Sequence, residues 1–308
     1  RAIAEAHRAG VRVIMITGDH PRTAQRIAAD LGIVPPGSPV LTGNELDALL
    51  AQGDAAFAQA VRGTSVYARV APAHKLRIVQ TLQADGHIVA MTGDGVNDAP
   101  ALKSADIGIA MGVTGTEVTK EAARMILADD NFATIVHAVR EGRGIFSNIR
   151  KFLRYLLSSN MGEVLTVFIG VLGAGALGLT AAGLSEGGGM VLPLLATQIL
   201  WINLITDAAP ALALGMDPSD TDTMDQPPRK STDRVIDNRM WSDVFMTGLV
   251  VALCTRVTLD MFLPAGFIEG TYDLRTARTA AFTVMVLAQL FNCFNARSDH
   301  LSAFHKPF

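Results

Sequence analysis

The pattern of hydrophobic and polar positions changes once along the chain, near residue 131. Before that point, short apolar runs alternate with stretches of helical periodicity. The runs predict buried strands, which we place at residues 11–16, 66–68, 88–91 and 107–110. The periodic stretches predict helices, which we place at residues 2–9, 21–31 and 72–84. Because strands and helices alternate, residues 1–131 are expected to form a parallel sheet flanked by helices.

One further helix is indicated by its first residues. Thr42 is followed three positions later by Glu45, which is the spacing of a capping box. In that motif the threonine hydroxyl and the glutamate carboxylate each satisfy a backbone amide at the start of the helix. We therefore expect a helix to begin directly after Thr42.

After residue 131 the apolar runs become long, and a helix needs about 20 residues to cross the hydrocarbon core of a membrane. Four spans are predicted, at residues 155–177, 190–214, 241–263 and 279–294. The first is expected to continue the amphipathic stretch 132–154 as one stalk helix. The predicted domains are thus an α/β domain at 1–131, a stalk at 132–154, a transmembrane domain at 155–296 and a cytoplasmic tail at 297–308.

Composition and charge place the protein in a membrane. With 49% hydrophobic and 18% charged residues, and a mean hydropathy of +0.31, the chain of 308 residues is too apolar for an ordinary soluble enzyme. The net charge of −3 gives no basic field, so nucleic acid is not an expected partner. Lys and Arg cluster before the first span and between the second and third, whereas the connection at 183–189 has neither. We predict an integral, multi-pass protein in the lipid bilayer, with the α/β domain on the cytoplasmic side.

The strongest chemical signal is the run Met-Thr-Gly-Asp-Gly-Val-Asn-Asp at residues 91–98, directly after a predicted strand. Open parallel sheets bind ligands at the carboxyl ends of their strands, and two glycines allow the backbone to approach a ligand closely. Asp94 and Asp98 are four residues apart. If a helix begins near Asp98, both carboxylates face one spot, as Mg²⁺ requires.

Two weaker signals belong to the same kind of site. Thr17, Gly18 and Asp19 follow the first strand and place a hydroxyl group and backbone donors at the sheet edge. Lys75, on the helix after Pro72, offers a point charge suited to a phosphate. Taken alone, such a turn is more often a helix cap and such a lysine more often a solvated surface residue. Beside the run at 91–98, we interpret both as parts of a phosphate-binding site.

Polar side chains also cluster inside the first two predicted spans, where they are costly and usually persist for function. They are Asn160 and Glu163 on one face of the first span, and Asn203, Thr206 and Asp207 on one face of the second. Pro210 lacks an amide donor and is expected to break the helix and free the carbonyl of Thr206. Oxygen ligands without His or Cys predict a hard cation such as Ca²⁺. The alternative is hydrogen bonding between helices, which is as good an interpretation for Asn160 but a weaker one for the two acids.

These motifs resemble those of a known family. Thr-Gly-Asp at 17–19, Ala-Pro-Ala-His-Lys ending at Lys75, and the run from Met91 to Lys103 resemble the phosphorylation domain of P-type ATPases, which has a haloacid-dehalogenase-like (Rossmannoid) α/β fold. The resemblance implies that Asp94 holds Mg²⁺ and that Asn97 and Asp98 order the phosphoryl site. It also implies that Thr17 and Gly18, with Asp19 beside them, bind the phosphoryl group, whose charge Lys75 neutralises. ATP would be the substrate of the complete pump.

The membrane part resembles the calcium-pump branch of the family, of the sarco/endoplasmic-reticulum type. Ser-Ser-Asn-Met-Gly-Glu at 158–163, Trp-Ile-Asn-Leu-Ile-Thr-Asp at 201–207 and Met-Asp-Gln-Pro-Pro-Arg at 224–229 resemble its fifth and sixth helices and the connection after them. The implied ligands of the transported cation are Asn160, Glu163, Asn203, Thr206, Asp207 and Gln289. Two positions depart from the pattern: Gln289 replaces a glutamate and Ala208 replaces a glycine. Asn203 disfavours a sodium/potassium pump, in which an aspartate occupies this position.

Other features of the family pattern are not in these 308 residues. The motif Asp-Lys-Thr-Gly-Thr, whose aspartate becomes phosphorylated, does not occur. We therefore expect the chain to be a carboxy-terminal fragment that is inactive alone and has the amino-terminal part of the same pump as its partner. The alternatives are a pump for Mn²⁺, Mg²⁺, Na⁺ or H⁺, a membrane-anchored phosphatase of the same fold, and a non-enzymatic regulatory or relic fragment.

Overall fold

A computed structural model describes residues 1–173, 192–218, 223–229, 233–263, 268 and 270–297. The chain divides into two compact units. The first comprises Arg1–Arg143 with the described part of Asp220–Asp233. The second comprises the described parts of Gly144–Ser219 and Arg234–Phe308. We call them the α/β unit and the membrane unit.

The α/β unit alternates strands and helices as expected. Its strands are β1 (Met15–Thr17), β2 (Leu41–Thr42), β3 (Val66–Ala68), β4 (Ala90–Gly93), β5 (Ile107–Met111) and β6 (Met125–Leu127). Its helices are α1 (Ala2–Arg8), α2 (Pro21–Asp30), α3 (Gly43–Gln52), α4 (Asp54–Gly63), α5 (Pro72–Ala84), α6 (Ala99–Ser104) and α7 (Glu117–Ala122). The unit also contains the first part of α8 (Phe132–Leu172).

The strands form two parallel sheets of three strands, in the orders β1-β3-β2 and β4-β5-β6. Helix α5 packs into both cores, because Ile78 lies with Leu46 and Phe57 beneath the first sheet while Val79 lies with Met91 beneath the second. β1 and β4 are edge strands of their sheets. The loops that follow β1 and β4 are the two that carry the predicted phosphate-site residues.

Most local predictions for this unit agree with the structure. The differences are shifted strand ends and four elements that were not predicted, namely β2, α4, α7 and β6. Strand β3 and helix α5 have the predicted bounds. β1 starts only at Met15, because the amide of Val11 donates to the carbonyl of Ala6 and so closes the end of α1. The two-residue β2 was not predicted, because so short a strand shows no periodicity. The capping box is confirmed, since Glu45 accepts from the Thr42 amide and Thr42 accepts from the Glu45 amide.

Among the described residues, four helices are long and apolar enough, by length and composition, to cross a membrane. They are α8, the helical stretch Ala196–Gly215, α11 (Asn238–Phe262) and α12 (Leu274–Ala296). The stretch Ala196–Gly215 consists of α9 (Ala196–Trp201), a π-helical turn (Ile202–Thr206) and α10 (Ala208–Gly215). Helix α12 starts before the predicted residue 279, because Asp273 caps it by accepting from the Thr276 amide. Residues 174–177, 190–191 and 298–308, which belong to predicted segments, lie outside the described residues.

The membrane unit packs through small residues on one side and leaves large apolar side chains on the other. Gly248 of α11 faces Met161 and Gly162 of α8 so closely that an added Cβ would lie 2.6 Å from Met161 Cγ. Small residues allow membrane helices to approach in this way. Phe245, Met246 and Val250 of the same helix α11 are exposed, as lipid-facing residues are. The close contact lies next to Glu163.

Candidate functional site

The run at residues 91–98 begins in β4 and ends in a short 3₁₀ turn, Val96–Asp98, that leads into α6. Asp98 is buried, and its Oδ1 accepts a hydrogen bond from Lys75 Nζ at 2.6 Å. Its Oδ2 accepts from the Gly95 amide at 3.4 Å. A side chain at Gly93 would collide with Asp98, because an added Cβ would lie 2.6 Å from the Asp98 Cβ. The structure thus brings Lys75 and Asp98 together and shows why residue 93 is small.

Asp94 and Asn97, in contrast, are exposed at the end of the same strand. The Asp94 carbonyl accepts from the Thr116 amide at 3.1 Å, which fixes its backbone. Within the described residues the Asp94 carboxylate has no hydrogen-bond partner. An exposed carboxylate at a strand end fits Mg²⁺, which uses one or two protein carboxylates and keeps several waters.

The Thr-Gly-Asp turn lies at the end of β1. Thr17 Oγ1 donates to Asp19 Oδ2 at 2.9 Å and accepts from the Asp19 amide at 3.1 Å. Gly18 is exposed, and an added Cβ would meet nothing within 4 Å. The turn is therefore closed by its own side chains and is open to a ligand, at an edge strand of the first sheet.

In the membrane unit, Glu163 is buried at the meeting of three helical segments. Its Oε2 accepts from Asn203 Nδ2 at 2.7 Å, and its Oε1 accepts from Gln289 Nε2 at 3.1 Å. Glu163 is 4% exposed and Gln289 is fully buried. Three of the predicted cation ligands, one each from α8, the π-helical turn and α12, therefore form one hydrogen-bonded cluster.

Asp207 is buried beside the same helices with one oxygen unused. Its Oδ1 accepts from the Tyr155 hydroxyl at 2.9 Å. In the part of the chain that the structure describes, Asp207 Oδ2 and Gln289 Oε1 have no hydrogen-bond partner. Buried acceptors without a partner are rare and costly. Two such oxygens among buried side chains are what a hard cation would satisfy.

The backbone is irregular where these ligands attach. In the π-helical turn Ile202–Thr206, the Asp207 amide donates to the Ile202 carbonyl, five residues back, at 2.9 Å. The predicted break at Pro210 therefore appears one turn earlier, and Pro210 itself lies inside α10. The physical reason is that Pro210 removes a donor from the preceding turn, which widens. Single π turns occur frequently at functional sites.

Two other predicted ligands, Asn160 and Thr206, are more exposed than the buried Glu163 and Asp207. Asn160 is exposed, and its Nδ2 donates to the Leu156 carbonyl of its own helix at 2.9 Å. Thr206 is half-buried in the π-helical turn. The structure does not bring Asn160 to the Glu163 cluster, because the buried face of α8 runs through Tyr155, Ser159 and Glu163.

Sequence reasoning missed Tyr155 and a second polar pair. The hydroxyl of Ser158 accepts from Asn292 Nδ2 of α12 at 2.7 Å, in the buried interior. Tyr155 lies eight residues before Glu163, two helical turns away on the same face. That spacing was the available signal. Among the described residues no three His, Cys, Asp or Glu side chains come together, so a cation here would need amide oxygens beside the acids.

The connection after α10 contributes a segment to the α/β unit. Met224 is buried with Ala6 and Val136, and the Arg143 guanidinium donates to three carbonyls. These acceptors belong to Ala9, Thr223 and Gln226, at 2.7, 3.1 and 2.8 Å. Gly10, with a φ of +72°, lies against Pro228 and leaves no room for a side chain. The Met-Asp-Gln-Pro-Pro-Arg run is therefore packed against α1 and the first part of α8.

Comparisons with known families match both parts of the chain. Residues 191–308 match the family described as cation transporting ATPase, C-terminus. Residues 1–106 match haloacid dehalogenase-like hydrolases, as do residues 75–139. Together with the parallel sheets and the four long apolar helices, these matches confirm the predicted fold class.

Individual relatives are similar over most of the chain. A calcium-transporting ATPase of Bacillus subtilis (strain 168) is 43% identical over 308 residues, which are 100% of this chain and 32% of the relative. A probable cation-transporting ATPase F of Mycobacterium tuberculosis (strain ATCC 25618 / H37Rv) is 44% identical over 306 residues, 98% of this chain and 31% of the relative. The endoplasmic reticulum-type calcium-transporting ATPase 2 of Arabidopsis thaliana is 46% identical over 259 residues, 83% of this chain and 23% of the relative.

The chain thus spans no more than 32% of the length of these curated relatives. The similarity to the Bacillus subtilis protein nevertheless covers the whole chain and therefore both units. The haloacid dehalogenase-like match covers the parallel sheets, and the cation transporting ATPase match covers the last three of the described apolar helices. The chain therefore belongs to the family of P-type cation-transporting ATPases.

Proposed function

We propose that the chain is part of an ATP-driven pump that moves Ca²⁺ across a membrane through an aspartyl-phosphate intermediate. The observation that carries this proposal is the buried pair of acids in the membrane unit, Glu163 and Asp207, with partnerless oxygens on Asp207 and Gln289. Buried carboxylates in a membrane interior are costly unless they serve an ion or a proton. The names of the Bacillus and Arabidopsis relatives favour calcium as that ion.

In this proposal the cation is held by oxygens only. Glu163 and Asp207 supply the negative charge, and Asn203, Gln289 and Thr206 supply neutral oxygens. Ca²⁺ accepts six to eight oxygen ligands in flexible geometry, which suits a set of mixed amides and carboxylates. Asn160 would join this set only after a change in its rotamer, since its side chain is hydrogen-bonded to its own helix.

The α/β unit would handle the phosphoryl group. Asp94 would hold Mg²⁺, which when bound neutralises charge on the phosphoryl oxygens. Lys75, held by Asp98, would approach the same oxygens, and Thr17 and Gly18 would donate hydrogen bonds to them from the end of β1. Asn97 and Asp19 would keep the two loops in position. Such a site works by placing charges rather than by covalent chemistry of its own side chains.

The phosphorylated aspartate itself would come from a part of the pump that these 308 residues do not include. We therefore expect this chain alone to form no phosphoenzyme. The check is incubation of the isolated chain with ATP and Mg²⁺, followed by acid precipitation. Acid-stable phosphate on the chain would contradict the expectation.

The proposed orientation has the α/β unit in the cytoplasm. Lys and Arg residues precede the first span and fill the connection between the second and third, at residues 140–154 and 229–239. Such residues are enriched on the cytoplasmic side of membranes. Protease digestion of sealed vesicles of known orientation would test the assignment, because the α/β unit should be cut only from the cytoplasmic face.

The decisive experiment uses the complete pump with Asp207→Asn. We expect cation-dependent phosphorylation from ATP to be abolished, because one of the two negative charges of the proposed cation site is gone. Asp243→Asn, an exposed acid on α11, is the matched control and should behave like the parent protein. Unchanged cation activation in Asp207→Asn would contradict the proposal. A panel of Ca²⁺, Mn²⁺, Mg²⁺, Na⁺ and H⁺ in the same assay distinguishes a calcium pump from pumps for the other ions.

A further inference from the structure

Asp130 adopts a backbone conformation that non-glycine residues rarely use. Its φ is +49°, in the left-handed region, where aspartate is among the tolerated residues. It lies between β6 and the first residue of α8. A residue held in this region usually has contacts that compensate for the strain.

The Asp130 carboxylate provides such contacts. Oδ1 accepts from the amides of Gly112 and Val113 at 2.7 and 3.1 Å. Oδ2 accepts from the amide and from the hydroxyl of Thr114, both at 2.8 Å. Burial acts to raise the pKa of Asp130, but these donors outweigh it and lower the pKa below its ordinary value. One charged group therefore fixes three successive residues of the loop after β5.

The same loop contacts the proposed phosphate site at its other end. The Thr116 amide donates to the Asp94 carbonyl at 3.1 Å. Between these points the loop packs closely against β5, because a side chain at Gly115 would collide with the Met111 carbonyl. Contacts therefore run without a gap from the Asp130 carboxylate, through residues 112–116, to the backbone of Asp94.

The neighbouring Asp129 serves the helix instead of the loop. Its Oδ2 accepts from the Thr134 hydroxyl at 2.6 Å, and its Oδ1 accepts from the Asn131 amide at 3.2 Å. Asn131 in turn accepts from the Ala133 amide at 3.0 Å, in the first turn of α8. The two adjacent acids thus contact different segments. Asp129 contacts the start of α8, and Asp130 contacts the loop beside Asp94.

We propose that Asp130 is a positioning residue that holds the loop of residues 112–116, and through it Asp94, against the start of α8. The proposal deepens the proposed function, because it assigns Asp94 the role of holding Mg²⁺. Its consequence is that the loop beside Asp94 is held by a residue two positions before the start of α8, the helix that also carries Glu163.

The test is Asp130→Asn in the complete pump, read by hydrogen exchange with Mg²⁺ as the only added ligand. Asparagine keeps one acceptor oxygen and replaces the other with a donor, so part of the loop contacts must be lost. We expect peptides covering residues 112–116 to exchange about tenfold faster or more. We also expect the Mg²⁺ concentration that half-protects residues 94–98 to rise about tenfold.

Two further variants make the result specific. Asp129→Asn is the matched control: it should loosen the first turn of α8 and leave the Mg²⁺ requirement unchanged. Thr114→Val, which removes only the hydroxyl contact, should shift the Mg²⁺ requirement in the same direction by less. It also serves if Asp130→Asn does not fold.

An unchanged Mg²⁺ requirement in Asp130→Asn, or in Thr114→Val where Asp130→Asn does not fold, would overturn the proposal. So would an equal shift in Asp129→Asn, or the absence of Mg²⁺ protection of residues 94–98 in the parent pump. None of these readouts uses ATP or the transported cation. Failure of the pumping function, seen as phosphorylation without cation dependence, would therefore be a separate result.

Discussion

The two clusters of polar side chains in this protein differ in what satisfies them. At the end of β4, Asp94 and Asn97 are exposed, so solvent can satisfy their polar groups. In the membrane unit, Glu163, Asp207 and Gln289 are buried, and two of their oxygens have no partner among the described residues. Solvent can replace a ligand at the first cluster, whereas the partnerless oxygens of the second carry a cost that a bound cation would remove. If the membrane cluster binds a cation, we therefore expect that cation to stabilise the membrane unit.

A second acid of the membrane unit, Asp217, has its charge satisfied within the protein. Asp217 accepts from Lys151 Nζ at 2.9 Å and from Arg297 at 3.1 Å, and its side chain is 9% exposed. Two basic side chains therefore balance its negative charge, whereas Asp207 accepts a hydrogen bond from the neutral hydroxyl of Tyr155. If Asp207 is kept for an ion and Asp217 for structure, their substitutions should have opposite signatures in activity and stability.

The largest effect is expected at the α/β unit with Lys75→Met. Loss of the ammonium group removes a charge from the proposed phosphoryl site and leaves Asp98 buried without its partner. We expect phosphorylation of the complete pump by ATP to slow about 100- to 1,000-fold. Lys120→Met, which removes an ion pair on the exposed face of α7, is the control. Equal rates in Lys75→Met and the parent would remove Lys75 from the site.

The next largest effect concerns Asp217→Asn. Replacing the Asp217 carboxylate removes the negative charge that pairs with the buried Lys151 ammonium group and with Arg297, and we expect the free energy of unfolding of the membrane unit to fall by about 3 kcal/mol. Asp207→Asn should not destabilise the unit in the absence of the transported cation. Urea titration of the complete pump in detergent measures both. If Asp207→Asn were the more destabilising change, the distinction between the two acids would be wrong.

Low pH should destabilise the membrane unit through Asp217. Burial acts to raise the pKa of Asp217, but Lys151 and Arg297 outweigh it and hold the pKa below its ordinary value. A carboxylate of this kind stabilises the fold above its unfolded-state pKa, about 3.9, and this stabilisation is lost as pH falls through the lowered folded-state pKa. Stability measured below about pH 4 should therefore fall less steeply in Asp217→Asn than in the parent.

A smaller effect is expected at the helix contact beside Glu163. Gly248→Ala places a methyl group against Met161 and should destabilise the membrane unit by about 1 to 3 kcal/mol. Gly142→Ala is the matched control, because an added Cβ there meets nothing within 4 Å. That substitution should stabilise α8 by about 0.5 to 1 kcal/mol. Thermal melting in detergent distinguishes the two, and melting shifts of the same sign would show that the contact is not tight.

The smallest effect belongs to local structure in the α/β unit. Thr42→Ala removes the capping hydroxyl of α3 and should cost about 1 kcal/mol. Thr23→Ala on the exposed side of α2 is the control and should be within about 0.5 kcal/mol of the parent. Cation-dependent phosphorylation should be unaffected in both. A loss of phosphorylation in Thr42→Ala would show that the first sheet is less independent of the site than its local capping suggests.

The sequence predicted an element correctly where its signal came from residues close together along the chain. The helix at 72–84, the strand at 66–68 and the capping box at Thr42 were predicted correctly, because each follows from the spacing of nearby residues. The strand at 11–16 was predicted too long, because the hydrogen bond between Val11 and Ala6 is not visible in hydrophobicity. The expected break at Pro210 was displaced to residues 202–206 for a similar reason: proline marks a missing donor, and the turn before it adapts.

The family, the fold class, the apolar helices and most of the candidate residues follow from the amino-acid sequence, because these depend on composition, periodicity and short motifs. Which of those residues meet depends on the folded structure. It joined Glu163 to Asn203 and Gln289 across 40 and 126 residues, added Tyr155 beside Asp207, and left Asn160 on the outer face of α8. The physical reason is that helix rotation and the close approach at Gly162 and Gly248 are settled by packing between distant segments, which local spacing does not encode.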